Sequence, residues 1–161
     1  MRARVRPFRD DDRAACLQVF DSNVPTYSRP AERVEFESFL DDVPGPYSVV
    51  DGTGSVVGCG GYALRPGEAV VDLCWGMIHA ERHGRGLGAR LTFARLEHAL
   101  RNPSVQAVAL STSQRTVGFY EKLGFRLVSV EKDGYADGLD RCEMRLELGS
   151  EGEGGVRPRP D

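Results

Sequence analysis

The sequence predicts a mixed α/β domain in which one central sheet is covered by helices. With 161 residues, of which 40% are hydrophobic, the chain has the size of one domain and enough apolar side chains for a core. Segments with strand periodicity and helix periodicity follow one another in the order β, α, α, β, β, β, α, β, α, β, β. This order fits neither a doubly wound sheet nor a barrel.

The first third of the chain predicts a short strand followed by two helices. Residues 2–7 alternate weakly between polar and apolar side chains, as a strand does. Three acids at 10–12 favour the start of a helix, which runs to Phe20. A loop at 22–30 then leads into a helix that Pro30 opens. The apolar stripe of this second helix consists of Phe36, Phe39, Leu40 and Val43.

The middle of the chain predicts a hairpin and a long apolar strand. Two strands, at 47–51 and 55–64, flank the turn Gly52-Thr53-Gly54. Within the second of them, Cys59-Gly60-Gly61 indicates a bulge or a close approach of another backbone. The apolar strand that follows covers residues 68–79, and its composition favours a central position in the sheet.

The remaining chain predicts alternating helices and strands and then a polar tail. The elements are a helix at 86–101, a buried strand at 105–110, a helix at 114–122, and strands at 125–131 and 141–148. A polar loop at 133–138, which contains Tyr135, joins the last two strands. The tail at 149–161 consists mostly of Gly, Glu, Arg and Pro and is predicted to be disordered. The domain is therefore expected to cover residues 1–148.

The overall charge and the cysteines argue against several classes of function. The formal net charge is −3, whereas nucleic-acid-binding domains usually carry a basic excess. No apolar run is long enough to span a membrane, and the first residues lack the apolar segment of an export signal, so we expect no export. The cysteines are not spaced as a metal-binding or redox pair, so we expect free thiols in the cytoplasm and no metal. They are Cys16, Cys59, Cys74 and Cys142.

A glycine-rich run connects the strand that ends near His79 to the following helix. It reads His83-Gly84-Arg85-Gly86-Leu87-Gly88-Ala89. A helix N-terminus carries a partial positive charge and unpaired N–H groups, and glycines let a phosphate approach the bare backbone. The backbone from Arg85 to Ala89 could therefore hold a pyrophosphate, with the Arg85 side chain as a further contact.

Two other interpretations of this run stay open, and one is excluded. A plain turn without a ligand is common in such sequences. A dinucleotide site fits the loose glycine pattern, although the strand at 105–110 ends without the acidic residue that binds a ribose. A P-loop is excluded because the run contains no Gly-Lys-Ser/Thr.

A second motif lies on the helix after the next strand. It reads Thr116-Val117-Gly118-Phe119-Tyr120-Glu121-Lys122-Leu123-Gly124-Phe125. Together the two motifs resemble those of the GNAT superfamily of N-acetyltransferases, which are Gln/Arg-x-x-Gly-x-Gly/Ala for the CoA pyrophosphate and Phe-Tyr-x-x-x-Gly-Phe. The resemblance covers about residues 3–148 and is strongest from 68 to 126. It departs from the family at His83, where Gln or Arg is usual, and at Ser113, where many members have Asn.

The resemblance implies both a fold and an activity. The fold would be a single GNAT-like domain with a central mixed, mostly antiparallel sheet flanked by helices. The sheet would be splayed between the strand that ends near His79 and the strand at 105–110. The activity would be transfer of an acetyl group from acetyl-CoA to a primary amine, by direct attack in a ternary complex and without a metal. The acceptor would be a small molecule or a peptide, and the sequence is compatible with a homodimer.

Two catalytic residues follow from the resemblance. Tyr120 would act as a general acid at the thioester sulfur, since a phenol keeps its proton at neutral pH. Asp72 lies fourteen residues before Gly86, where a gap-free count in the histone-acetyltransferase branch reaches the glutamate base. The alternatives, that Asp72 only faces solvent or that ordered water is the base, stay open.

The resemblance also implies the residues that bind the donor. Backbone groups of Gly76, Met77 and Ile78 would bond the pantetheine arm, which inserts where two strands splay apart. The N–H of Met77 or Ile78 would polarise the thioester carbonyl. The remaining expected contacts are His83, Gly84, Arg85, Gly86, Leu87, Gly88, Ala89, Ser113 and Phe119.

The acceptor site is expected between the first two helices, their loop and the last hairpin. The net negative charge favours a cationic amine as acceptor. A CoA-binding sensor without catalysis is the main alternative, and the presence of Tyr120 argues against it. A nucleotide-binding oxidoreductase domain is a third hypothesis, which the element order disfavours. The candidate acceptor residues are Asn23, Tyr27, Phe36, Trp75 and Tyr135.

Overall fold

In residues 3–148, which the computed structural model describes, seven strands form one sheet and four α-helices cover it. The strands are β1 (Arg4–Pro7), β2 (Tyr47–Gly52), β3 (Ser55–Leu64), β4 (Val70–Ile78), β5 (Ala107–Thr112), β6 (Arg126–Ala136) and β7 (Leu139–Glu147). The helices are α1 (Arg13–Ser22), α2 (Glu32–Asp41), α3 (Leu87–Ala99) and α4 (Val117–Lys122). Short 3-10 turns lie at Asp10–Asp12 and Ala80–Arg82.

The sheet is mixed and mostly antiparallel, which confirms the prediction. The strands lie in the order β1-β2-β3-β4-β5-β7-β6, and every pair is antiparallel except β4–β5. β4 and β5 pair only from Val70–Ala107 to Asp72–Ala109, although β4 continues to Ile78 and β5 to Thr112. The two strands therefore part beyond Asp72, and the expected splay is confirmed.

The helices cover both faces of this sheet. Side chains alternate between the two faces along a strand, so neighbouring residues of β2 pack against helices on opposite faces of the sheet. Val49 packs in a cluster with Phe20 of α1 and Phe36 of α2, whereas Val50 packs with Leu91 of α3. A further cluster joins α4 to α3, so α3 and α4 share the second face. None of the helices described in residues 3–148 is long and apolar enough to cross a membrane.

The structure changes several predicted boundaries; β5, for example, is Ala107–Thr112 rather than 105–110, and the three largest changes are at α1, α4 and β6. α1 begins at Arg13 after a 3-10 turn, and α4 begins at Val117 rather than at residue 114. Residues 133–136, predicted as a loop, extend β6, and only 137–138 form the turn. β6 is an edge strand that is exposed along most of its length, so its sequence lacks the alternation that marks a strand. The predicted disordered tail lies outside the described residues.

An ion-pair cluster ties β1 to the first turn of helix. Arg6 donates from Nη1 and Nη2 to the two carboxylate oxygens of Asp12, at 2.9 and 3.0 Å, and from Nε to Asp51 at 3.1 Å. The backbone N–H of Arg9 also donates to Asp12, at 2.8 Å. The hydrogen bonds from Arg6 hold the pKa of Asp12 below its ordinary value.

We expect Asp12→Asn to lower the free energy of unfolding by about 1–3 kcal/mol, because Arg6 keeps its charge but loses its main partner. Since the pKa of Asp12 is lower in the folded state, its stabilisation is complete above the ordinary value of about 3.9. That stabilisation disappears as the pH falls through the folded pKa. Urea denaturation at a series of pH values from neutral to acid should show the free energies of unfolding of the two proteins converging as the pH falls. A constant difference in stability would contradict this role of Asp12.

Candidate active site

A cleft opens where β4 and β5 part, and it collects most of the residues expected in the site. Its volume is about 1190 Å³. One wall is the free edge of β4, and the others come from the start of α3, from β5 with α4, and from α2 with the β6–β7 hairpin. Every candidate site residue lines this cleft except Arg85, Ala89 and Phe36.

A bulge in β4 lies beside the cleft. The β3–β4 register shifts by one residue, so that Trp75 and Gly76 together stand opposite Gly60. Trp75 has a φ of 44°, and its carbonyl accepts a hydrogen bond from the hydroxyl of Tyr47 at 2.9 Å. Beyond its pairing with β5, this edge of β4 has no strand partner in the described chain. Backbone groups from Gly76 onward can therefore bind an extended ligand as a strand would.

The glycine-rich turn forms one end of the cleft. Gly84 and Gly86 have φ values of 77° and 79°, and a Cβ on either would meet nothing within 4 Å. Gly86 directly precedes α3, whose first turn has N–H groups without helical partners. This open backbone at a helix N-terminus suits a pyrophosphate. The Arg85 side chain is exposed outside the cleft, whereas Arg82, which neither motif contains, lines it.

Two side chains join the end of β4 to its surroundings. The carbonyl of Ile78 accepts hydrogen bonds from Nδ2 of Asn23 at 3.0 Å and from Nε2 of His83 at 2.8 Å. Asn23 is buried and also donates to the carbonyl of Val19, so its amide holds α1 against β4. The ring of His83 meets that of Tyr27 edge-on, with centroids 5.1 Å apart. His83 therefore closes the glycine turn onto the end of β4.

Helix α4 forms the wall opposite β4. The ring of Tyr120 packs against Phe119 and Phe125, with centroids 5.0 and 5.7 Å apart, and lines the cleft. Phe119 reaches the start of α3, where a Cβ on Gly88 would lie 3.2 Å from its ring. Ser113 is buried in this wall, and its hydroxyl accepts a backbone N–H at 3.3 Å. The hydroxyl of Tyr120 has no hydrogen-bond partner in residues 3–148.

Asp72 lies where β4 and β5 separate, and it forms an ion pair with Arg65. Arg65 donates from Nε and Nη2 to the two carboxylate oxygens, at 2.9 and 2.6 Å. The hydrogen bonds to Asp72 raise the pKa of the guanidinium further above its usual range. The side chains are 35% and 39% exposed, so solvent screens the pair. The cleft thus contains a carboxylate whose two oxygens are already hydrogen-bonded.

The part of the cleft between α2 and the β6–β7 hairpin carries charges of both signs. Arg141 and the hydroxyl of Ser111 donate to Glu143, whereas Glu35 forms no salt bridge within residues 3–148. Burial raises the pKa of Tyr135 to about 12, so its hydroxyl stays protonated at neutral pH. The charged side chains that line this part are Glu32, Glu35, Asp72, Glu143, Arg65, Arg115 and Arg141.

Phe36 does not belong to the acceptor site, which corrects the sequence-based assignment. Its side chain is completely buried between Phe20 and Trp75, with ring centroids 5.8 and 5.0 Å away. The ring lies on the face of α2 that packs on the sheet. It contacts Trp75 from the core side and does not line the cleft.

Two polar residues of α3 line the cleft although neither motif contains them. Thr92 and Arg95 follow Gly88 by four and seven positions, which places all three on one face of the helix. This spacing is the only signal for them in the sequence. In residues 3–148, no group of three or more His, Cys, Asp or Glu side chains could hold a metal ion.

Comparison with sequence families gives one match. Residues 47–148 match the family described as an acetyltransferase (GNAT) domain. The matched segment runs from β2 to the end of the described chain and contains both motifs, the β4 edge and α4. No curated protein matches the chain.

Solved structures share the fold at low sequence identity. An N-acetyltransferase from Staphylococcus aureus has a TM-score of 0.73 at 16% identity, covering 92% of this chain and 100% of that chain. A ribosomal-protein-alanine N-acetyltransferase from Brucella melitensis gives 0.70 at 19%, covering 90% and 99%. An aminoglycoside 6′-N-acetyltransferase complexed with coenzyme A gives 0.74 at 15%, covering 98% and 99%. These likenesses establish the fold.

Proposed function

Because the chain belongs to the GNAT family of acetyl-CoA-dependent N-acetyltransferases, we propose that it acetylates a primary amine by direct attack in a ternary complex. The observation that carries this proposal is the cleft where β4 and β5 part. The glycine turn lies at one end of it, Tyr120 on one wall, and several carboxylates between α2 and the last hairpin. The cleft can therefore accommodate an extended, phosphorylated donor beside a cationic acceptor.

The donor would lie along the free edge of β4. Backbone N–H groups from Gly84 to Gly88 would hold the pyrophosphate of acetyl-CoA, with Arg82 as an additional cation. Backbone groups from Gly76 to Ile78 would bond the pantetheine arm, as β5 bonds the first half of β4. The N–H of Met77 or Ile78 would donate to the thioester carbonyl. His83 supports this arrangement through its hydrogen bond to the Ile78 carbonyl.

Tyr120 is the proposed general acid. The acceptor nitrogen bonds to the thioester carbonyl carbon, the C–S bond breaks, and the sulfur then needs a proton. Tyr120 lines the cleft, and its ring is held by packing against Phe119 and Phe125. A fixed phenol without another partner is well suited to donate that proton.

We infer that ordered water, rather than Asp72, receives the proton of the amine. Both oxygens of Asp72 already accept hydrogen bonds from Arg65, so neither is free to accept the proton of the amine. The hydrogen bonds from Arg65 instead hold the carboxylate of Asp72 in place where β4 and β5 separate.

We expect Asp72→Asn to lower kcat/KM by less than about 10-fold and to leave the shape of its pH profile unchanged. A general base would cost about 100-fold or more when removed. The pH dependence of kcat/KM for the two proteins decides between these roles. Loss of the acid limb in the variant would identify Asp72 as the base.

The acceptor is proposed to be cationic. Glu35 lines the cleft as an exposed carboxylate without a salt bridge in the described chain, so it is free to pair with an ammonium group. Tyr27, Trp75 and Tyr135 add aromatic surface to the same region, which suits the alkyl part of an amine.

Thiol release from acetyl-CoA, measured with polyamines, aminoglycosides, amino acids and peptides, tests the proposed function. We expect turnover with at least one cationic amine and intersecting initial-rate lines, as a ternary complex requires. Parallel lines would indicate an acyl-enzyme and contradict direct attack. Acetyl-CoA binding without turnover on any amine would favour a sensor that lacks catalysis.

A further inference from the structure

Arg95 is a buried cation in the floor of the cleft. The residue is only 4% exposed, and it forms no salt bridge within residues 3–148. Its guanidinium makes two long hydrogen bonds, from Nη1 to the carbonyl of Gly61 at 3.4 Å and from Nη2 to Oγ1 of Thr92 at 3.3 Å. The buried Nε has no partner in the described chain. More than half of the five N–H groups of the guanidinium are therefore unsatisfied.

The backbone around this guanidinium leaves room for it. A Cβ on Gly76 would lie 2.7 Å from Nη2 and 2.8 Å from Nη1, and a Cβ on Gly60 would lie 3.2 Å from Cζ. Both glycines belong to the bulge, so Arg95 lies directly against the segment of β4 that borders the cleft. Thr92 donates to the carbonyl of Gly88 at 2.9 Å and orients the guanidinium from the helix side.

Within residues 3–148, no carboxylate neutralises the charge of Arg95. The neighbouring charged side chains of α3, Arg90 and Glu97, are exposed. A buried cation without a counter-ion is unfavourable, and an apolar side chain of similar volume is usually tolerated in its place. Burial and the charge of Asp72 raise the pKa of the Cys74 thiol, and the charge of Arg95 opposes that rise. An uncompensated cation in a binding cleft indicates an anionic group on a ligand.

The acyl end of the donor is the part of the ligand that would meet Arg95. If the pantetheine follows β4 from Ile78 to Gly76, the acyl group extends into the floor beside the guanidinium. An anionic acceptor is disfavoured, because it would approach past the carboxylate of Glu35, which has no salt bridge within residues 3–148. Apolar side chains that suit a short methylene chain also line the cleft, among them Leu73, Leu91 and Leu110.

We propose that Arg95 binds the terminal carboxylate of a short dicarboxylic acyl group, so that the protein also takes donors such as succinyl-CoA. This inference rests on the proposed function, because it requires a CoA thioester in the cleft. The chemistry is the same: the amine nitrogen bonds to the thioester carbon, the C–S bond breaks, and CoA leaves as the thiol. The amine loses one proton, the sulfur gains one, and the terminal carboxylate stays ionised in the product.

Equilibrium binding of CoA thioesters tests this proposal without an acceptor. Succinyl-CoA and butyryl-CoA both carry four-carbon acyl chains, but only the first ends in a carboxylate. We expect the wild-type protein to bind succinyl-CoA at least about 10-fold more tightly than butyryl-CoA. Arg95→Met should bring this ratio to about one and keep the affinity for CoA within about 2-fold of wild type. Arg95→Lys keeps the charge without the planar fork and should retain part of the preference.

Arg90→Met is the matched control, because Arg90 is exposed on the same helix and does not line the cleft. It should leave the ratio unchanged. The melting temperature of Arg95→Met should not fall, since the variant removes a buried unpaired charge. A wild-type protein that binds the two thioesters equally, or an equal loss of both in Arg95→Met, would overturn the proposal. Failure of CoA itself to bind would refute the proposed function as well. Binding of CoA without a preference for succinyl-CoA would refute only the role of Arg95.

Discussion

Tyr120→Phe is expected to lower kcat by about 100-fold or more and to keep the dissociation constant of acetyl-CoA within about 2-fold of wild type. The ring contacts with Phe119 and Phe125 do not involve the hydroxyl, so the variant should keep the shape of the α4 wall. The variant lacks the hydroxyl that would donate a proton to the leaving sulfur. Single-turnover thiol release and equilibrium binding of acetyl-CoA measure the two quantities separately.

Tyr62→Phe provides the control for this experiment. The Tyr62 hydroxyl is hydrogen-bonded to Nδ1 of His98 and does not line the cleft, so its removal should leave kcat unchanged. If Tyr120→Phe lowered kcat and acetyl-CoA affinity by equal factors, the hydroxyl would be a binding group, and the general-acid role would be wrong.

Gly86→Val should weaken acetyl-CoA binding by about 100-fold or more. Gly86 has a φ of 79°, which a β-branched residue adopts only with strain, and its Cβ would project into the open space before α3. The strain would displace the backbone N–H groups that hold the pyrophosphate, and the side chain would occupy the space in which the pyrophosphate would lie. Titration of the folded variant with acetyl-CoA measures the loss.

Gly67→Val is a control with the same backbone strain. Gly67 has a φ of 73°, a Cβ there would also meet nothing within 4 Å, and the residue does not line the cleft. The two variants should therefore lose similar stability, whereas only Gly86→Val should lose affinity. Equal affinities for acetyl-CoA in both variants would show that the glycine turn does not bind the donor.

The sequence predicted the features of the fold that leave a local pattern. The helices and the buried strands have clear periodicity. Cys59-Gly60-Gly61 predicted a bulge or a close approach of another backbone; the bulge lies in the partner strand β4, and Gly60 closely approaches Gly76 there. The prediction ended β6 at residue 131, whereas the strand continues to Ala136. Most side chains of β6 are exposed, so its sequence shows little alternation between polar and apolar residues. Burial against another layer creates the periodic signal, so an exposed edge strand has little of it.

The sequence indicated the site less completely, because a cleft is made by residues that are distant in the chain. The glycine run and Tyr120 were identified because each belongs to a contiguous motif. The ion pair between Arg65 and Asp72 depends on the β3–β4 turn, and the burial of Arg95 depends on two glycines in other strands. Phe36 was assigned to the acceptor site because it lies near the expected acceptor loop. Its side chain packs in the core instead, as its position on the apolar stripe of α2 favours.

Amide hydrogen exchange with and without acetyl-CoA most directly tests the claim that the donor occupies the gap between β4 and β5. We predict that protection on binding is concentrated in Gly76–Ile78 and Gly84–Gly88, with little change in β1. Binding of acetyl-CoA that leaves exchange in both segments unchanged, or that protects another part of the sheet instead, would contradict this site.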